Sequence, residues 1–248
     1  MPCTWRCALV IVAIMQPYFF PYIGYFQLMQ TADMFVFHDD VQYIKGGWIN
    51  RNRILMNNRA DWLTMPVKSA SNYLPISQRY YAIEPDTIEK MKRRLAASYA
   101  KSCAFNRVAQ TIFELLDFPN TNVASFNCSS LKAIARKLGI MCRFARSSEL
   151  DDSVALKGQD KVIGLCRRFG ADRYINPVGG AELYDPAAFA EAGITLSFLQ
   201  TAVPPTSTES GLQHLSVIDG LMLHDFDGYS HLLPEYTLLR KEDFPTQS

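Results

Sequence analysis

The sequence predicts an α/β fold, a mostly parallel sheet flanked by helices and interrupted by a helical insert. Three observations predict it. The stretch Ile14-Met-Gln-Pro-Tyr-Phe-Phe-Pro-Tyr-Ile-Gly-Tyr25 joins an apolar run to Ala32-Asp-Met-Phe-Val-Phe-His-Asp-Asp40. That is strand, Pro-bounded turn, helix and strand within the roughly 30 residues of one βαβ unit. The last third of the chain alternates strand and helix again. Between the two, Pro85 to Leu138 reads as helix throughout.

Taken in order, Ala8 to Met15 is apolar and largely β-branched, the pattern of a central strand buried on both faces. Pro17 ends it, and Pro21 stands where a helix can start, with Tyr22, Phe26, Met29 and Gln30 at helical spacing. Met34 to His38 is the second strand. Val41 to Val67 is expected to form short antiparallel strands or ordered loops over the sheet edge, with turns at Gly46-Gly47 and Asn57-Asn58-Arg59. In the insert, Ile88, Met91, Leu95 and Tyr99 share one helix face, and Val108, Ile112, Leu115 and Leu116 another. A third helix, Ser125 to Leu138, has Asn120 or Asn122 as its cap and Gly139 as its stop. Ile140 to Ala145, Arg173 to Asn176 and Ile194 to Leu199 read as strands. Asp160 to Phe169, Pro186 to Ala192 and Leu215 to Leu223 read as helices, and Pro204 to Ser210 as a mobile loop. In an open α/β sheet the turn after the first strand lies at the carboxyl edge, where ligands bind.

Composition excludes several functions. The 248 residues are 48% hydrophobic and 20% charged, enough for a normal core, and the net charge is +1. That balance carries no electrostatic footprint for nucleic acid or an anionic membrane. No apolar run reaches the 18 or so residues of a membrane span. The run after Arg6 is short and is followed by Gln16-Pro17 where a signal peptide needs small residues. The six cysteines form no CxxC pair, which predicts buried thiols in a reducing, cytoplasmic setting; Cys3 and Cys7 stand near a terminus.

Candidate chemistry gathers after the first two strands. Tyr22-Ile-Gly-Tyr25 stands where nucleotidylyltransferases and class I aminoacyl-tRNA synthetases carry His-Ile-Gly-His, so the start resembles a nucleotidylyltransferase-like (HUP/Rossmann-like) unit. Spacing and Gly24 are kept, but both imidazoles are replaced by phenols, which donate hydrogen bonds without positive charge. The opposite reading has Tyr22 and Tyr25 packing on the sheet. Asp39 and Asp40 point opposite ways at a strand end, so one at most faces a site. It can hold Mg²⁺ through water, act as a general base or bind a sugar hydroxyl, or else cap a solvated turn. His38 reads as a strand residue. In Lys45-Gly-Gly-Trp-Ile-Asn-Arg-Asn-Arg53, Arg51 and Arg53 share one face of an extended segment and Asn50 and Asn52 the other. The arginines suit a carboxylate or phosphate and Trp48 a ring; the rival is an amphipathic strand with a charged outer face. Ser147 and Ser148 follow a strand, and Gly179-Gly180 permits close backbone approach. Lys157 to Lys161 offers a flexible lysine or a helix start. Ser216 with Asp219 has the spacing of a capping box, and His214 just before it is the best general-base candidate.

Taken together, these blocks resemble the WbqC-like protein family. The resemblance rests on Ala13 to Phe26, Phe37 to Lys45, Trp48 to Ile54, Leu63 to Val67, Ser147-Ser148, Leu165 to Ile175 and Leu215 to Asp219. It implies one α/β domain from Ala8 to Leu239, with Met1 to Cys7 as an extension and Arg240 to Ser248 as a tail. It further implies a role among bacterial O-antigen and surface-polysaccharide enzymes, transferring a glycyl or other acyl group to an amino sugar or its nucleotide derivative. A nucleotide, ATP or a nucleotide sugar, with Mg²⁺ is the candidate cofactor, and other polysaccharide-biosynthesis enzymes are candidate partners. The site residues come from the sequence itself. Asp39, Asp40 and His214 are the candidate catalytic groups. Gln16, Tyr22, Gly24, Tyr25, Lys45, Trp48, Asn50, Arg51, Arg53, Ser147, Gly179 and Gly180 are the candidate substrate contacts, with no dedicated metal ligands. The alternatives are a metal-dependent nucleotidyltransferase-like enzyme and a non-catalytic partner in a glycan assembly complex.

Overall fold

The computed structural model describes residues 9–150, 156–202 and 214–244. Its centre is a six-stranded sheet in the order β5-β2-β1-β6-β7-β8. Here β1 is Ile11–Met15, β2 Met34–Phe37, β5 Arg143–Arg146, β6 Arg173–Pro177, β7 Thr195–Thr201 and β8 Tyr236–Leu239. Strands β1, β2, β5, β6 and β7 are parallel, and β8 pairs antiparallel with β7 at the edge. Helices α1 (Ile23–Thr31), α5 (Gly158–Arg168), α6 (Pro186–Glu191) and α7 (Val217–Ser230) follow strands. The insert before β5 carries the hairpin β3 (Arg51–Met56) and β4 (Arg59–Thr64), then α2 (Thr87–Tyr99), α3 (Phe105–Leu116) and α4 (Val123–Lys137).

Alternation along the strands builds two cores. Val12, Ile14, Met34 and Val36 face one layer with Val162 and Phe189 of α5 and α6. Ala13, Phe35 and Phe37 face the other, with α1, the three insert helices and α7. Strands buried on both faces read as continuous apolar runs, which is why β1 and β2 are legible. The chain winds outward from β1 through β2 to β5 and returns to β6 on the other side of β1. Winding therefore reverses between β1 and β6, which makes a crevice at their carboxyl ends.

The turn from Gln16 to Pro21 borders that crevice and is pinned by polar side chains. The Tyr25 hydroxyl donates to the Gln16 carbonyl (2.8 Å), and Asn127 Nδ2 donates to that of Pro17 (2.8 Å). Asn52 Nδ2 donates to the carbonyls of Phe19 and Phe20 (3.2 and 2.9 Å), and Ser216 Oγ adds a bond to Phe20 (2.7 Å). Phe20 has φ +42°, a left-handed conformation that is costly for an aromatic residue. The two bonds on its own carbonyl offset that cost.

Several elements differ from expectation. Strand β8 was not predicted: its four residues pair only through register with β7, which a sequence window does not show. Helix α1 starts at Ile23 with Tyr22 in the extended cap position, so Pro21 precedes the helix. Helix α7 runs past Leu223 to Ser230 through a break at Asp225, whose φ is +55°. Ser216 caps α7, but Asp219 turns away to accept from the Tyr99 hydroxyl at 2.9 Å, so no capping box forms. The β3–β4 turn matches its sequence: Asn57 and Asn58 both have positive φ, as a type I′ hairpin requires. The expected extension Met1 to Cys7, the expected loop Pro204 to Ser210 and the part of the expected tail after Phe244 lie outside the described residues. Among the described residues no helix is long and apolar enough to cross a membrane.

Candidate functional site

A cavity of about 630 Å³ opens at the crevice between β1 and β6, a volume ordinary for a small-molecule site. Its floor is Ile14 and Met15 of β1 and Asn176 and Pro177 of β6. Its walls come from segments that the fold brings in separately: the pinned turn, the end of β2, the hairpin, the start of α5, the turn after β6 and the residues before α7. Helices α1 and α5 begin at this cavity, and neither has a side-chain cap on its first amides. Helix N-termini carry partial positive charge and favour anions. Arg53 adds a guanidinium, and among the described residues no carboxylate lines the cavity. The chamber is therefore built for a neutral or anionic ligand.

Of the candidate residues, Gln16, Tyr22, Trp48, Arg53, Gly179, Gly180 and His214 line this cavity. Gly24, Tyr25, Asp39, Asp40, Lys45, Asn50, Arg51 and Ser147 do not. Each has a physical reason. Tyr25 is fully buried and spends its hydroxyl on Gln16. Gly24 lies under the Tyr22 ring, where a Cβ would come within 2.6 Å of the ring. Asn50 is buried, donating to the Met65 carbonyl and accepting from the Tyr43 hydroxyl. Lys45 is exposed beside the Gly46-Gly47 turn. Arg51 donates to the Gly46 carbonyl and lies over Trp62.

The acid pair is a structural knot. Asp39 has no exposed surface. It accepts from Arg146 Nε (2.8 Å) and Nη2 (2.7 Å), from the Ser148 amide (2.9 Å) and from Ser148 Oγ (2.8 Å). Asp40 takes Lys161 Nζ at 2.6 Å and Ser147 Oγ at 2.5 Å. Burial opposes the Asp40 charge, but Lys161 and Ser147 outweigh it and hold the carboxyl below its ordinary value. The oxygens of both acids are committed to two cations and two serines, so this arrangement lends no support to Asp39 as a general base or to either acid as a Mg²⁺ ligand. Among the described residues no group of three or more His, Cys, Asp or Glu stands together as metal ligands. Lys161 is likewise buried and paired, not a flexible arm.

The residue that sequence reasoning passed over is His38, one step beyond β2 and in the cavity wall. Burial pushes its imidazole down to about 4, against the pull of Asp40 and with the help of Lys161. Its Nε2 is buried 3.7 Å from Asp40 Oδ1, while 16% of the side chain stays exposed. The ring is neutral at pH 7, with Nε2 on the side of the acid. His214 sits at the mouth with φ +57°, edge-on to the Tyr22 ring at 4.9 Å. Burial and then Arg53 lower its basicity. Two imidazoles thus stand in the chamber although Tyr-Ile-Gly-Tyr holds none. Aromatic walls of Tyr18, Tyr22, Trp48 and Tyr184 complete it.

The two glycines after β6 do different jobs. A Cβ on Gly180 would meet Asn176 Nδ2 at 2.0 Å, whereas one on Gly179 would meet nothing within 4 Å. Gly179→Ala should therefore leave thermal stability unchanged or slightly raised and weaken ligand binding by filling the cavity. Gly180→Ala should displace Asn176 and lower the melting temperature. Thermal unfolding beside ligand titration of both variants checks the contrast.

The model of the WbqC-like protein family matches residues 16–230. The chain is 29% identical over 188 residues to the uncharacterized protein Rv1507c of Mycobacterium tuberculosis, covering 75% of this chain and 80% of that protein. No solved structure is significantly similar.

Proposed function

The chain belongs to the WbqC-like protein family, and from that premise we propose that it is a transferase of bacterial surface-polysaccharide (O-antigen) synthesis. It attaches an aminoacyl group such as glycyl, or another acyl group, to the amine of a sugar or of its nucleotide derivative. One observation carries this reading: the switch-point cavity is walled by a neutral imidazole and, among the described residues, by no carboxylate. A chamber without acids does not hold the sugar as an ammonium ion, and a neutral imidazole is the group that takes a proton from an attacking amine.

The step balances as follows. The sugar nitrogen attacks the carbonyl carbon of an activated acyl donor, a thioester, ester or acyl phosphate. A C–N bond forms and the bond to the leaving sulfur or oxygen breaks. The amine proton passes to His38 Nδ1 and then to the leaving group. Arg53 and the uncapped start of α1 hold the anionic part of a substrate, and the aromatic walls hold the sugar ring. Asp40, itself fixed by Lys161, stands 3.7 Å from Nε2, beyond hydrogen-bond reach, and its charge favours the proton on that nitrogen and Nδ1 as the base. Incubating the purified protein with an amino-sugar nucleotide and a panel of glycyl and acyl donors should give an amide, read by mass spectrometry as the gain of one acyl residue. No amide from any donor, with the sugar bound, contradicts the transferase reading.

A further inference from the structure

The outer face of the β3–β4 hairpin carries an array that the cavity does not use up. Arg53 pairs across the strands with Trp62, and Arg51 with Thr64. Asn52, Ile54 and Leu63 point the other way and are buried. The Arg51 guanidinium lies 4.1 Å over the Trp62 ring, and that of Arg53 5.7 Å from the Trp48 ring. The two indoles are 5.5 Å apart, tilted by 42°. They keep 38% and 37% of their surface exposed. The buried core of the hairpin is Ile54, Leu63 and Met65 on the opposite side. Trp48 and Arg53 also line the cavity, so the array runs from its mouth outward without a break.

We propose that this face is a second subsite, for the nucleoside diphosphate half of a nucleotide-linked amino sugar. The inference rests on the transferase reading and names the form in which the acceptor arrives. The base packs on the exposed part of the Trp62 indole, beside the Arg51 guanidinium that covers one face of the ring, the diphosphate meets Arg51 and Arg53, and the sugar enters the cavity toward His38. Charge decides against a neutral glycan: two guanidiniums stand on the face, and the nearest hairpin acid, Asp61, is held by Arg94 at 2.6 Å. The indoles decide between the two carriers of a diphosphate sugar, since they offer a flat surface to a base and no channel for a lipid chain.

Isothermal titration with UDP, GDP, dTDP and inorganic pyrophosphate tests it, using wild type, Trp62→Ala, Trp62→Phe and Arg51→Ala. At least one nucleoside diphosphate should bind. Trp62→Ala should weaken it by about 5- to 150-fold, the loss of one base–aromatic stack, while Trp62→Phe retains most of the affinity. Arg51→Ala should weaken both the nucleotide and pyrophosphate, and flatten the salt dependence. Pyrophosphate binding should change little in Trp62→Ala. If no nucleoside diphosphate binds, or if Trp62→Ala binds it as wild type does, the subsite is overturned. Amide formation on a free amino sugar would then still uphold the transferase reading, so the two failures are separable.

Discussion

His38→Asn is expected to lower kcat by about 10²- to 10⁴-fold, the usual contribution of a general base, with KM little changed. Asn keeps a hydrogen-bonding group near the Nδ1 position but accepts no proton. The pH profile carries the second half of the prediction. Burial pushes the His38 imidazole down to about 4, so it is already in its basic form from pH 5 to 8. Wild-type activity over that range should follow the ionisation of the substrate amine and collapse only near pH 4. Stability has the matching sign. The folded pKa lies below the unfolded value near 6.5, so the unfolded chain binds more protons between the two. The stabilising term is whole above about pH 6.5 and is lost as pH falls toward 4. Denaturant unfolding at stepped pH should show a shallower acid loss in His38→Asn than in wild type. A variant with wild-type kcat would remove His38 from the chemistry and leave His214 as the base.

The largest effect on stability belongs to Asp39. Asp39→Ala takes from the partly buried Arg146 guanidinium its fully buried partner, with Glu149 at 3.2 Å still beside it, and removes the acceptor for the Ser148 amide and hydroxyl. Breaking one side of a buried pair costs about 3–5 kcal/mol. For a chain of this size that is a fall of roughly 6–20 °C in melting temperature. Circular-dichroism melts read it directly. If Asp39 were the general base, the variant would instead melt near wild type and lose turnover. The replacement Arg146→Met with Asp39→Leu should recover much of the lost stability, because an apolar pair of similar volume avoids the unpaired charge.

These two cases show what the sequence carries and where it stops. The βαβ start, the carboxyl-edge turn and the alternating last third are local patterns, and β1, β2, α5, α6, β6 and β7 follow from them. Gly179 and His214 were legible as candidates because each follows a strand or precedes a helix at the edge where ligands bind. The roles of Asp39 and Asp40 were not legible, since their partners Arg146 and Lys161 come from β5 and α5, more than a hundred residues away. The same holds for Asn50 and Asn52: alternation placed them on the inner face, but their targets are loop carbonyls that exist only in the fold. His38 was missed for a related reason. A histidine closing an apolar strand reads as a strand residue, and only the neighbouring ion pair and the open cavity make it a candidate base. The Trp62 platform was hidden because its partner Arg51 reaches it across the hairpin.

The Tyr-Ile-Gly-Tyr step has a meaning different from the histidine signature at the same place. Tyr25 is a strut for the turn and Tyr22 is a cavity wall, packed against His214. Burial raises both phenols, so they act as neutral donors and not as anions. Whatever charge a phosphate meets here comes from Arg53 and the helix start.

The chain has four histidines, which supply an internal control for the central claim. His38 and His214 line the switch-point cavity, and His224 and His231 do not. The most direct test is a titration of histidine-labelled protein with an amino-sugar nucleotide, following all four imidazole resonances by NMR. Shifts at His38 and His214, with His224 and His231 still, are the predicted result. Binding that leaves His38 and His214 unmoved would contradict the placement of the reaction in this cavity.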